Sequence, residues 1–285
     1  MSPRKNARAM VPRRPSTRGK TRALGQHFLR DSGVARQIVE VVAPTPSDLV
    51  LEIGAGRGAL TGFLVSSGAR VLALEVDPVL AAALRERFAE ADRVEIETAD
   101  ARAFAYAHLR DQRPDPRGRV LVVGNLPYSV GKPILMALVE AGSAIDEMAL
   151  MLQKEVALRV AAAPGGKVYG SLSVLTQIVC EVSVAFGVPP GAFSPPPQVE
   201  SAVIHLRVRP SPPVPIADLT RFRAVVRAAF GQRRKSLANA LSSGLGLGTE
   251  RARALTAAAA IDPSRRAETL SLAEFARLTD RLVAL

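Results

Sequence analysis

The chain of 285 residues has one cysteine, three histidines and no tryptophan. Cys180 alone closes no internal disulfide, and His27, His108 and His205 lie far apart with no cysteine at ligand spacing, so neither a disulfide framework nor a metal site is expected. Long apolar runs are missing too. No stretch of about 18 apolar residues is available to span a bilayer, and the start of the chain is too rich in Pro and Arg for a secretory segment. A cytoplasmic protein without membrane contact is expected. Acids are scarce at both ends: residues 1–22 hold eight Lys or Arg and no acid, and residues 220–285 hold twelve basic and five acidic residues. The ends thus carry +8 and +7, which leaves −3 for the middle against a total of +12. Charge confined in this way suits a polyanionic partner, because each cation that neutralises a phosphate releases counterions.

What is present is the composition of a chain with a sizeable core, 48% hydrophobic and 22% charged. Its length suits one large domain and one small one. Residues 1–22, with three prolines and no apolar periodicity, read as a disordered basic arm. A loop and helix follow, with Asp31 or Ser32 as cap, apolar Val34, Ile38, Val41 and Val42 at helical spacing, and Pro44 as the stop. Apolar runs at Leu49–Ile53, Arg70–Leu74, Val94–Glu97, Val120–Val123 and Met148–Leu152 then alternate with helical segments such as Pro78–Phe88, capped by Asp77. That alternation predicts an α/β domain over residues 23–210, with a mainly parallel sheet covered on both faces and Val182–Phe186 and Ala202–Val208 as a closing antiparallel pair. Four prolines between Val208 and Ile216 exclude a helix or a central strand and predict a linker at 211–218. Beyond it Leu219–Phe230, Ser236–Leu241, Glu250–Ala260 and Ser271–Leu282 predict a small all-helical domain over 219–285.

The chemistry gathers where strands end. Val50–Thr61 reads as a buried strand, a glycine-rich turn and a helix, in which Gly54, Gly56 and Gly58 let backbone approach a ligand at the carboxyl edge of the sheet. Glu75, 21 residues after Gly54, ends the next strand where a carboxylate can accept hydrogen bonds from ribose hydroxyls. Both features also fit a dinucleotide site. Asp100, after the third strand, is an acceptor suited to the amino group of a cofactor's adenine. After the fourth strand comes Asn125-Leu126-Pro127-Tyr128, again at the carboxyl edge. An Asn-x-Pro-aromatic loop in that place resembles the signature of amino-group methyltransferases acting on adenine. The adenine amine is a poor nucleophile because its lone pair is delocalised into the ring. Two acceptors, the Asn125 side-chain oxygen and the Pro127 carbonyl, would draw its hydrogens out of plane, while Tyr128 offers a stacking face to an extruded base.

Further segments sharpen the resemblance: Gly25-Gln26-His27-Phe28-Leu29, Glu52–Gly56, Glu75-Val76-Asp77, Met151–Glu155, Pro189–Pro197 with Val199–Val203, and Phe230-Gly-Gln-Arg-Arg-Lys235. Over residues 23–285 the chain is similar to the bacterial small-subunit rRNA adenine dimethyltransferases, the KsgA/RsmA family. The resemblance implies a Rossmann-like class I methyltransferase domain with a small helical C-terminal domain. It implies S-adenosylmethionine as methyl donor, and two methyl transfers to N6 of each of two adjacent adenosines near the 3′ end of 16S rRNA, in an assembling 30S subunit. A monomer without metal is expected. By position, His27, Leu29, Gly54, Gly56, Glu75, Asp100 and Asn125 would line the cofactor pocket, with Asn125, Pro127, Tyr128 and Phe193 around the target base, Phe193 stacking opposite Tyr128. Arg233, Arg234 and Lys235, three adjacent cations with no acid within four positions, would contact rRNA phosphates near a helix start. One departure stands out, since His27 occupies a place where the family typically has Asn, and an imidazole is larger and titratable.

Overall fold

The computed structural model describes residues 27–232 and 234–283. The basic arm at 1–22, Gly25, Gln26 and Arg233 lie outside the described residues. The first ordered pieces are a short strand β1 (Phe28–Leu29) and helix α1 (Ser32–Val42). Asp31 is the cap, its carboxylate accepting from the backbone N–H groups of Gly33 and Val34 at 2.9 and 3.1 Å. The chain then alternates through β2 (Leu49–Ile53), α2 (Thr61–Ser66), β3 (Arg70–Glu75), α3 (Pro78–Arg87), β4 (Val94–Thr98), β5 (Val120–Asn125), α4 (Gly131–Ala141) and β6 (Glu147–Gln153). Helix α3 starts as the sequence predicts, with Asp77 as cap and Pro78 in its first turn.

Among the described residues the main sheet has the strand order β4-β3-β2-β5-β6-β9-β7, with β7 at Cys180–Val188 and β9 at Ser201–Val208. From β4 to β6 all pairings are parallel, and β9 runs antiparallel to both β6 and β7. The expected closing pair is therefore longer than predicted, and its later strand lies inside, next to β6. Strand β2 is buried at every position, which is why it reads as a continuous apolar run. Alternation decides what each side chain covers. Leu49, Leu51 and Ile53 join Ile134, Leu135 and Leu138 of α4 on one face, whereas Val50 joins Ile38 and Val42 of α1 on the other.

Helices α5 (Lys154–Val160) and α6 (Ser171–Gln177) follow β6, and a two-residue strand β8 (Phe193–Ser194) pairs with β1. The C-terminal helices are α7 (Leu219–Gly231), α8 (Leu237–Leu245), α9 (Thr249–Ala258) and α10 (Leu272–Val283). Helix α8 continues four residues past the predicted end, to Leu245, and Gly246 then takes the left-handed conformation at φ 67° that closes a helix. These helices share a core that includes Phe222, Leu241, Leu255 and Phe275. Tyr169, Val174 and Ile178 also belong to that core, and the Tyr169 hydroxyl donates to the Leu270 carbonyl at 3.1 Å. The proline-rich stretch thus precedes the helical part, but α6 and the residue leading into it supply part of its core.

Candidate active site

Parallel register brings the strand ends together. Ile53 pairs with Leu74 on one side and Gly124 on the other, and Glu75 pairs with Thr98. The turns that carry Gly54, Glu75, Asp100 and Asn125 consequently open at one edge of the sheet. Gly54, Gly56 and Gly58 have φ of 70°, 58° and 77°, a region that side chains other than glycine rarely adopt. A Cβ at Gly56 would also lie 3.2 Å from the Phe28 ring, so this turn is both left-handed and closely packed.

Glu75 fastens that turn. Its carboxylate accepts from the backbone N–H of Gly56 at 2.8 Å and of Asp77 at 2.9 Å, and the residue is 2% exposed. Each oxygen keeps a further lone pair for a ligand. Asn125 ends β5, and its Nδ2 donates to the His27 carbonyl at 2.9 Å. That bond fixes which way the amide lies and leaves Oδ1 as its free acceptor. His27 is held in turn. Its Nδ1 lies 2.8 Å from the Pro195 carbonyl, so Nδ1 carries the donated proton, and its ring sits 5.3 Å from that of Tyr128. The Tyr128 hydroxyl meets Ser201 Oγ at 2.5 Å, and burial pushes its phenol above the ordinary range, which keeps it protonated. The Pro127 carbonyl accepts from the Val130 N–H at 3.1 Å with one lone pair remaining.

Two clefts meet at this edge and share Gly54 and Pro127. His27, Phe28, Gly56, Glu75, Asn125 and Tyr128 line the first. The second is walled by Ile53, Leu74, Val76 and Ile134, with Asp100 and Arg102 at its rim. Asp100 is already engaged there, as its carboxylate takes an ion pair from Arg102 at 2.5 Å.

Two of the expected site residues have their side chains in the core rather than in the clefts. Leu29 lines neither cleft: its side chain is in the core at 7% exposure, while its neighbour Phe28 faces the first cleft. Alternation along β1 is the reason, and it takes effect only through the pairing of β1 with β8. Phe193 is 2% exposed and pairs with Leu29 in the short β1–β8 sheet, so its ring presents no face opposite Tyr128 in this conformation. Arg234 and Lys235 are exposed and sit in the turn just ahead of α8, near a helix start as expected, where the Lys235 N–H donates to the Gln232 carbonyl at 2.9 Å. Among the described residues no group of three or more His, Cys, Asp or Glu could hold a metal ion, and no helix is long and apolar enough to cross a membrane.

A sequence model described as "Ribosomal RNA adenine dimethylase" matches residues 18–283. The chain is 44% identical over 259 residues to the ribosomal RNA small subunit methyltransferase A of Xanthomonas campestris pv. campestris, covering 91% of this chain and 95% of that one. It is 41% identical over 261 residues to the protein of that name from Pseudomonas aeruginosa, covering 92% and 94%. Among solved structures, the 23S rRNA methyltransferase ErmE superposes with a TM-score of 0.66 at 27% identity over 90% of this chain and 99% of its own. A dimethyladenosine transferase from Plasmodium falciparum superposes at 0.71 and 21% identity, over 88% and 96%.

Glu52 was not singled out as a site residue, although a carboxylate inside a buried strand is a signal in itself. It is 1% exposed beneath the glycine turn, and the Thr61 hydroxyl donates to its Oε2 at 2.6 Å. Burial pushes its carboxyl up to about 7, the nearby Glu75 charge pushes the same way, and the Thr61 hydrogen bonds oppose the shift. The folded chain therefore holds a proton that the unfolded chain, with an ordinary value near 4.5, has lost. This contribution to stability is complete below pH 4.5 and is lost as pH rises through about 7, a change of up to about 3 kcal/mol. Glu52→Gln, which keeps the acceptor without the charge, should lose less stability on alkalinisation. Its Tm relative to the parent should rise between pH 5 and pH 8.5, and a constant difference would contradict a protonated Glu52.

Proposed function

The chain belongs to the ribosomal RNA adenine dimethylase family, and on that footing we propose that it transfers methyl groups from S-adenosylmethionine to N6 of two adjacent adenosines near the 3′ end of 16S rRNA. It works in the cytoplasm, as a monomer, on an assembling 30S subunit. Its fold is the Rossmann-like class I methyltransferase sheet followed by a helical C-terminal part.

The observation that carries this reading is the fixed Asn125 amide, with Nδ2 committed to the His27 carbonyl and Oδ1 left to accept. A nucleoside methyl donor fits the paired clefts on chemical grounds. The left-handed glycine turn brings backbone close, Glu75 keeps lone pairs for ribose hydroxyls, and the apolar walls of the second cleft suit a flat base whose amine reaches Asp100. When bound, S-adenosylmethionine would supply a methyl group on a sulfonium, whose neutral thioether is a good leaving group without help from a metal. The protein's work is therefore orientation and electrostatics. In the first transfer Asn125 Oδ1 and the Pro127 carbonyl accept hydrogen bonds from the two N–H groups of the target amine and turn its lone pair toward the methyl. In the second, the one remaining N–H keeps one of these acceptors, and each transfer releases a proton to solvent. Tyr128, held by Ser201, gives the extruded adenine a stacking surface. His27 buttresses both, through its carbonyl to Asn125 and its ring against Tyr128. Arg233, Arg234 and Lys235 contact rRNA phosphates.

At saturating S-adenosylmethionine and RNA, Asn125→Ala should lower the single-turnover methylation rate by about 100-fold or more, as loss of one transition-state acceptor does. A wild-type rate constant in a folded variant would contradict the orienting role. For the RNA contacts, replacing Arg233, Arg234 and Lys235 by Ala should weaken binding to unmethylated small subunits. It should also flatten the plot of log affinity against log salt by up to about 2–3 units, at about 0.7–0.9 per lost phosphate contact. Parallel plots for variant and parent would remove these residues from the interface.

A further inference from the structure

Asp100 is not waiting open for a ligand. Two residues along the chain, Arg102 folds back onto it, with Nε 3.0 Å from both carboxylate oxygens and Nη2 2.5 Å from Oδ2. The Arg102 backbone N–H adds a bond to Oδ1 at 2.9 Å. A carboxylate has about four lone-pair directions, so these donors leave it little capacity for another. The same bonds hold the Asp100 carboxyl below the usual carboxylate range, and it remains an acceptor only. Both side chains rim the apolar cleft walled by Ile53, Leu74, Val76 and Ile134. Their chemistry is opposite, since Asp100 draws a base that presents an amine and repels one that presents an oxygen, and the guanidinium does the reverse.

We propose that Arg102 is a specificity-determining residue of the nucleoside cleft, where its guanidinium competes with the exocyclic amine of the cofactor's base for Asp100. The proposal deepens the reading given above and rests on Asp100 as the acceptor of that amine. Competition of this kind lowers affinity for adenine and blunts discrimination against a base with an oxygen in place of the amine. It does not shut the cleft. The Arg102 and Asp100 side chains are 53% and 36% exposed, and water screens an ion pair so placed, so the guanidinium can give way when the amine arrives. Among the described residues, the side-chain hydrogen bonds of Arg102 all go to Asp100.

The test is calorimetric binding of S-adenosylhomocysteine and of its inosine counterpart, both without the sulfonium charge, to the parent protein and to Arg102→Met, Arg102→Lys and Asp100→Ala. Arg102→Met should bind S-adenosylhomocysteine about two- to fivefold more tightly and the inosine compound more weakly, the scale set by an exposed ion pair. Arg102→Lys, a cation without the planar fork, should fall between parent and Met variant. If Asp100→Ala weakens S-adenosylhomocysteine binding while Arg102→Met leaves it unchanged or weaker, competition is overturned and Arg102 instead supports the site. If Asp100→Ala binds both compounds as the parent does, the assignment of the base amine to Asp100 fails, and the proposal fails with it. Equal Tm values across the variants exclude loss of folding as the cause.

Discussion

Ile53 pairs in parallel with both Leu74 and Gly124, and this shared register determines where everything else can sit. Parallel strands all end at the same edge, so each βα turn delivers its residues to one place. The glycine turn after β2, Glu75 at the end of β3, Asp100 after β4 and Asn125 at the end of β5 are separate in sequence but open onto two joined clefts. A one-residue slip of β5 would invert its faces, burying the wrong side chains and moving Asn125 away from the His27 carbonyl.

Within that frame the polar groups are held by backbone rather than by one another. Glu75 accepts from Gly56 and Asp77, Asn125 donates to the His27 carbonyl, and His27 itself reaches the Pro195 carbonyl. Backbone partners are fixed once the fold is formed, which suits a reaction that depends on aiming an amine. The exceptions are Tyr128, whose hydroxyl meets Ser201 Oγ, and Asp100, whose partner Arg102 is a long side chain on an exposed rim. The buried Glu52 sits below the same turn and carries a different cost, since it favours its neutral form.

The sheet was legible because its strands are nearly continuous apolar runs, and the caps Asp31 and Asp77 were legible because each precedes a helical pattern. The pairing of β1 with β8 was not, as two residues show no period and their partners lie 166 and 164 positions away. That pairing is what buries Leu29 and Phe193 and turns Phe28 to the cleft. Residue types at the strand ends pointed to the candidate site, whereas occupancy of their lone pairs did not show in the sequence. The commitment of Asn125 Nδ2 to His27 and of Asp100 to Arg102 depends on side-chain placement. The added core residues from α6 escaped notice for the same reason, because Tyr169, Val174 and Ile178 reach the C-terminal helices only through tertiary packing.

The central claim is that this edge of the sheet aims the N6 amine of a particular pair of adenosines at a methyl group. The direct measurement is incubation of the protein with labelled S-adenosylmethionine and unmethylated small ribosomal subunits, followed by mapping of the modified bases. The account predicts label confined to two adjacent adenosines near the 3′ end of 16S rRNA, both carried to the dimethylated state. Label on another base, on large-subunit rRNA alone, or none with active cofactor and intact particles would contradict it.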